Sequence, residues 1–344
     1  MTRASDLVRK TLVEKNDAVR LSDMEGFKYG PDTEAKSEQI STQLHRDEDE
    51  AENIYRSFQS FMAEVKECVI KNETVRFENA LIPIRKLIDT QQMLEWIYPF
   101  TVATTINVED YLIFHSVNVM VYSLKMGRHM GYPQSKLTEL ALSALLHDIG
   151  LFMIPDNVTT KKESLTESEI SLVKRHPDMG KNLLGAFKED CPWLLRAVYE
   201  HHEKENGQGY PEGIKGDMIS EYAKIIGICD SYEAMTHSRP HRKAIMQFVS
   251  VRELVETKNF SNKILKAFLD ELSLYPIGSY VKLNNKSIGR VIATNPDQPL
   301  KPIINLLFDG NGNRITEERI INLKENPILV VSGGIDKEEF PQSL

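Results

Sequence analysis

Apolar residues recur at helical spacing along most of this chain, and the pattern changes once, near Tyr275-Pro276. From Glu50 to Cys68, residues Ile54, Phe58, Phe61, Met62 and Val65 fall three and four apart, which lines one face of an α-helix. A second stripe predicts a helix from Phe77 to about Trp96, with Pro83 near its start or marking a kink. Asn107 is placed to cap the next helix, with Asp110 answering it and Ile106 and Tyr111 set as a hydrophobic staple. That helix carries Tyr111, His115, Val119 and Tyr122 down one face to Gly127. Another begins at Ser135, buries Leu137, Leu140, Ala141, Ala144 and Leu145, and stops at Gly150.

Thr166 to Glu169 forms a capping box for a helix ending at Arg175, and His176-Pro177 breaks and restarts the chain, leaving His176 exposed and available to a site. Pro192 opens a helix through Tyr199, and Ser220 caps one in which Ala223, Ile226, Gly227 and Asp230 share a face. A helical pair over 250–258 and 261–272 completes the series. Beyond it, β-branched segments at 279–283, 289–294, 303–308 and 328–331 alternate with turn signals such as Asn284-Asn285 and Gly310-Asn311-Gly312. The first 49 residues are polar, with one amphipathic stretch, Asp6 to Val19, and read as a helix followed by irregular chain. The predicted fold is mainly α, a helical bundle with an N-terminal helical lead-in, read as scaffold or as a dimerisation surface, and a small C-terminal β-rich appendage.

Composition narrows the function. With 344 residues, 41% of them hydrophobic, the chain can bury a sizeable core. A net charge of -8 argues against binding duplex nucleic acid, which needs clustered cations, and leaves room for a small anion held by a local basic pocket and metals. No apolar run approaches the roughly 20 residues that span a bilayer, and the N-terminus lacks the apolar segment of a signal peptide. A cytoplasmic protein without membrane attachment is expected, with Cys68, Cys191 and Cys229 as buried free thiols.

The chemistry lies in the histidines. His147-Asp148 ends an apolar helix, His115 stands 32 residues before it, His176 29 after His147, and His201-His202 follow 25 beyond His176. Asp230 comes 28 after His202. An aspartate on the buried face of a helix is costly unless paired or bound to metal. Five histidines and two aspartates exceed what one tetrahedral ion needs, so two ions are implied. We assign His115, His147, Asp148 and Asp230 to one ion and Asp148, His176, His201 and His202 to the other, with Asp148 shared. Imidazole and carboxylate suit divalent transition metals, with Fe foremost and Mn, Ni or Zn as alternatives.

Several separate motifs resemble those of the HD-GYP domain, a branch of the HD hydrolase superfamily, over about residues 100–270. They are His147-Asp148-Ile149-Gly150 with Ile154-Pro155, His176-Pro177 with Gly180, His201-His202-Glu203 with Gly207 and Gly209-Tyr210-Pro211, and Asp230-Ser231-Tyr232 with Met235-Thr236 and Arg239-Pro240. The resemblance implies an HD-type helical bundle, a division into 1–99, 100–274 and 275–344, and a tail similar to those on such proteins. It implies hydrolysis of cyclic di-GMP to linear pGpG, with GMP the less expected product, or of the related cyclic GMP-AMP. By the same resemblance His147 and Asp148 would stand at the catalytic centre, while Gly209, Tyr210 and Pro211 would border a guanine and Arg239 and Arg242 would meet phosphate or base.

Four positions depart from the family pattern: Leu151 where Lys is usual, Tyr111 where three-metal members carry Glu, Asn206 for Asp, and His241 for Tyr. They imply two metals and slowed turnover. The rival reading is a catalytically weak cyclic-dinucleotide sensor whose bound state changes contacts with a signalling partner. An HD-type nucleotide phosphohydrolase is disfavoured by the paired histidines and the Gly-Tyr-Pro loop.

Overall fold

A 41-residue helix, α1 (Pro31–Lys71), opens the described chain. The computed structural model describes residues 31–103, 111–240, 242–272, 275, 279–293, 295, 298, 300–335 and 340–341. The expected irregular chain up to Asp49 is corrected from Pro31 onward. That stretch lacks an apolar stripe, yet it places Pro at the first turn, acids just after it and good helix formers beyond, and local propensity suffices. The stretch Asp6 to Val19, the Asn107 cap with its partners Ile106 and Asp110, and His241 lie outside the described residues.

The helix expected from Phe77 to Trp96 is two: α2 (Glu78–Asp89) and α3 (Gln91–Ala103), parted at Thr90, whose backbone is extended. The apolar stripe continues across the break and conceals it. Pro83 sits inside α2 and Pro99 inside α3. Then follow α4 (Tyr111–His129) and α5 (Gln134–Leu146), a 3-10 turn over Ile149–Met153, the short helices α6 (Asp156–Thr159) and α7 (Glu167–Val173), and α8 (His176–Leu183). The reciprocal capping box of Thr166 and Glu169 is present at the start of α7. The helical series closes with α9 (Pro192–Glu200), α10 (Glu221–Thr236), α11 (Gln247–Glu256) and α12 (Asn262–Glu271). Ser220 and Ser261 cap α10 and α12 through their side chains.

One apolar core runs from Ala51 in α1 to Leu272 after α12, so α1 to α3 bury their stripes against the same interior as α4, α5 and α10. Of the three free thiols only Cys229 is fully buried, while Cys68 and Cys191 are half-buried.

The appendage is an antiparallel sheet of β1 (Tyr280–Leu283), β2 (Ile288–Ala293), β3 (Ile303–Phe308), β4 (Ile320–Asn322) and β5 (Val331–Gly334), in the order β4-β3-β2-β1-β5. Along β3 burial alternates residue by residue, and Val281, Leu283, Val291, Ile304 and Leu306 form a separate core with Tyr275 and Leu323. The short β4 carried no readable signal, and the last strand begins at Val331 rather than 328. Among the described residues no helix is long and apolar enough to cross a membrane.

Candidate metal centre

Three histidines reach the centre by one local device. His147 and His201 directly follow α5 and α9, and His176 opens α8 just after α7. Their Nδ1 atoms meet the carbonyls three residues back: Ala144 at 2.7 Å, Val198 at 2.8 Å and Val173 at 2.8 Å. These carbonyls belong to the last turns of helices and lack intrahelical partners. Each ring therefore gives its Nδ1–H to the backbone and turns Nε2 inward with a free lone pair. In α4, His115 achieves the same with a side chain: its Nδ1 donates to Glu233 Oε2 from α10.

Asp148 receives them. Its Oδ2 lies 3.3 Å from His115 Nε2 and 3.4 Å from His147 Nε2, and its Oδ1 lies 3.1 Å from His176 Nε2 and 3.6 Å from His201 Nε2. Asp230 spans the two sides as well, with Oδ1 3.2 Å from His115 Nε2 and Oδ2 3.7 Å from His202 Nδ1. Two donors bound at right angles to one ion at about 2.1 Å stand roughly 3.0 Å apart, so these separations suit shared cations. Two groups of candidate ligands result among the described residues: His115, His147 and Asp148, and Asp148, His176, His201 and His202.

The donor set fits cations on independent grounds. His115 Nε2, His147 Nε2 and Asp148 Oδ1 are buried without a hydrogen-bond partner, and a buried polar atom left so is costly. Burial pushes the Asp148 pKa up, but His147 and the other imidazoles crowded around the carboxylate hold it well below the usual carboxylate range. Asp230 is likewise depressed against burial by His115 and His202. Burial lowers His201 to about 4, and burial with two neighbouring imidazoles lowers His202, which keeps both neutral as ligands. His115 goes the other way: burial opposes its charge, yet Glu233 raises its pKa well above the ordinary value.

His176 is 1% exposed, which corrects the expectation of an exposed break. Gly150 is the cause. A Cβ there would stand 2.0 Å from the His176 carbonyl oxygen, so only glycine lets the 3-10 turn close over the start of α8. Gly227 does the same for α10, where a Cβ would meet the His201 carbonyl at 2.5 Å.

Around the histidines, the Tyr210 ring stacks on His202 with centroids 4.6 Å apart and planes at 27°. Gly209 permits the tight turn before it, since a Cβ would lie 2.5 Å from the backbone of His202 and Lys204, and the Tyr210-Pro211 bond is cis. Arg239 approaches from beyond α10, 4.0 Å from Asp230 Oδ1, its guanidinium 5.9 Å from the Tyr111 ring centre and its Nε buried without a partner. Arg242 differs: its guanidinium is tied to the Ala234 carbonyl. Leu151 packs into a small apolar cluster with Ile154 and Val158, and exposed Asn206 bonds Asn259.

Sequence reasoning missed Glu233, which bonds both His115 and Asn118. The available signal was its place three residues after Asp230 on the same helix, which puts both carboxylates on one face. Glu203 was read only as part of the His201-His202-Glu203 motif; its role is to accept from the backbone N–H groups of Glu212 and Gly213, which shapes the loop that carries Tyr210.

Residues 99–260 match the family model of the HD domain, and residues 280–343 that of a KOW domain associated with HD domain. The chain is 29% identical over 216 residues to cyclic di-GMP phosphodiesterase PA4108 of Pseudomonas aeruginosa, covering 62% of this chain and 52% of that protein. It is 31% identical over 223 residues to cyclic di-GMP phosphodiesterase PdeB of Borreliella burgdorferi, covering 63% and 58%. The match thus spans little more than half the length of either relative. Among solved structures, Bd1817, an HDG"Y"P protein from Bdellovibrio bacteriovorus, superposes with a TM-score of 0.52 at 18% identity over 77% of each chain. That likeness speaks for the fold alone.

Proposed function

We propose that this chain, which belongs to the HD-domain family through residues 99–260, is a metal-dependent phosphodiesterase that opens cyclic di-GMP, or the related cyclic GMP-AMP, to a linear dinucleotide. One observation carries the reading: the two oxygens of Asp148 each face a different pair of imidazole Nε2 atoms. His115, His147, Asp148 and Asp230 would hold one divalent ion, and Asp148, His176, His201 and His202 the other. The second oxygen of Asp230 faces His202 and supports the second ion too. Such a pair of ions supplies charge neutralisation at the phosphodiester and makes water acidic enough to attack near neutral pH.

The chain's own groups do the rest. His147 and Asp148 centre the site, and Asp148 fixes the spacing of its two halves. Tyr210, already stacked on His202, offers its ring to a guanine, in a loop set by Gly209 and Pro211. Arg239, with a buried and unpartnered Nε, is positioned for a phosphate oxygen. Arg242 holds the strand-like turn of Arg239 in place through the backbone bonds between the two residues and its own bond to Ala234. No side chain at position 151 can protonate the leaving oxygen, because Leu151 is apolar and packed away.

Hydrolysis is tested by incubating metal-loaded protein with cyclic di-GMP and, separately, cyclic GMP-AMP, and separating the products. Linear pGpG is the expected product from cyclic di-GMP, and a linear dinucleotide of one guanine and one adenine from cyclic GMP-AMP. Binding without any linear product overturns the enzyme reading in favour of the sensor, which the apolar Leu151 favours. Imidazole with carboxylate accommodates Fe, Mn, Ni or Zn. We propose Fe, and metal analysis of anaerobically purified protein decides it, with about two ions per chain expected.

A further inference from the structure

The long N-terminal helix reaches the metal centre through an unbroken line of buried hydrogen bonds. In α1, Tyr55 is 3% exposed and its hydroxyl donates to Asn118 Oδ1 at 2.7 Å, across 63 residues of sequence. The Asn118 amide, fully buried in α4, donates from Nδ2 to Glu233 Oε1 at 3.0 Å. Glu233 Oε2 accepts from His115 Nδ1, whose Nε2 faces Asp148 and Asp230. A stacked contact with Phe100 of α3, centroids 5.8 Å apart, holds the Tyr55 ring.

The donors and acceptors admit one arrangement. Glu233 as carboxylate only accepts, so it requires the amide nitrogen of Asn118. The amide oxygen then faces Tyr55, whose hydroxyl must donate. Turning the amide over would set its oxygen against a carboxylate oxygen. Each link thus orients the next, and the last orients the imidazole by its Nδ1–H, the way outer-shell partners tune a metal ligand.

We infer that Tyr55 is a positioning residue of the metal centre, so that the N-terminal helix is a working part of the site and a displacement of α1 reaches the ion on His115. The inference rests on reading His115 as a ligand. Removing the hydroxyl leaves a buried amide oxygen unpaired and frees Asn118, while the ring and its packing stay.

The test is metal affinity, read without substrate. Mn²⁺ binding to wild type, His115→Ala, Tyr55→Phe, Glu233→Gln and the Tyr55→Phe/Glu233→Gln double variant is measured by competition with a chromophoric chelator. His115→Ala identifies the ion in question. Tyr55→Phe is expected to weaken that ion by about 3- to 10-fold, the equivalent of one buried hydrogen bond, and to spare the other. Glu233→Gln is expected to weaken it by about 10- to 100-fold, with the double variant no weaker than Glu233→Gln alone, since both act on one line. The near-isosteric Asn118→Leu, one link closer, is expected to exceed Tyr55→Phe. Wild-type affinity for both ions in Tyr55→Phe and Asn118→Leu overturns the inference and leaves the ligand reading intact, even if melting temperature falls equally with and without metal. Wild-type protein that takes up no ion at His115 overturns the ligand reading and the inference with it.

Discussion

Asp148 is the residue on which most else converges. It is 7% exposed and has one oxygen for each pair of imidazoles. On the proposed assignment, replacing it with Ala would remove a donor from both ions at once and leave four Nε2 atoms without the carboxylate they face. The expected loss in affinity exceeds the roughly 10- to 100-fold that a supporting hydrogen bond carries, and turnover goes with it. Metal analysis of Asp148→Ala that still finds two ions would dispose of the shared-ligand assignment. His115 gives a second prediction, with its sign set by Glu233. In metal-free protein its pKa is raised above the ordinary 6.5, burial notwithstanding, so its contribution to stability is complete below about 6.5 and lost as pH rises through the folded value. An incoming ion must displace that proton. Metal affinity is therefore expected to climb with pH above 6.5, and calorimetry at pH 7 in two buffers of unlike ionisation enthalpy should register proton release. Equal heats in both buffers would contradict the arrangement. His115 and Asp230 were legible in the sequence because each is a polar residue on an apolar helical face. Glu233 was not, because a glutamate in a helix is ordinarily a solvated one, and only the fold brings α4 against α10.

At the scale of elements, helix ends do the positioning. Three histidines sit where a helix finishes and its last carbonyls want donors, so the motif His-Asp after an apolar run encodes both a stop and a ring orientation. The close approach of the next element depends on Gly150. Gly150→Ala would push a methyl group to within 2.0 Å of the His176 carbonyl and 2.7 Å of the Gly180 nitrogen, both backbone atoms that cannot swing aside. We expect it to destabilise the protein by at least about 1–3 kcal/mol and to lower occupancy of the ion on His176, read by urea denaturation and metal content together. A fully stable, fully loaded Gly150→Ala would show that the turn can shift freely. The core of α4 was readable from periodicity, and those of α5, α9 and α10 from periodicity joined to Ser or Pro signals near their starts. The break at Thr90 was not, because apolar residues keep helical spacing on both sides of it, and β4 was not, because Ile320 and Ile321 are a fragment stabilised by pairing with β3.

Among the described residues the two largest apolar interiors are separate, one from Ala51 to Leu272 and one within the sheet around Val291 and Ile304. The candidate ligands come from α4, the α5 end, α8, the α9 end and α10, all within the first interior. Ions bound there stabilise the folded helices by mass action, about 2.7 kcal/mol for each site held at a hundred times its dissociation constant. For a unit of 150–250 residues, 1 kcal/mol moves the melting temperature by about 2–4 °C. Chelation should thus lower the melting of the helical part by roughly 5–10 °C per ion, through groups on five elements that lose their common tether. The sheet holds none of these groups and is expected to keep its own transition. Hydrogen exchange followed by mass spectrometry resolves the two: after chelation, peptides spanning α4, the 3-10 turn, α8 and α10 should exchange faster, while those of β2 and β3 stay at their earlier rates. Uniform acceleration across both interiors would mean that the sheet depends on the helical core after all, and no acceleration near α4 and α8 would mean that metal does not bind where these histidines meet.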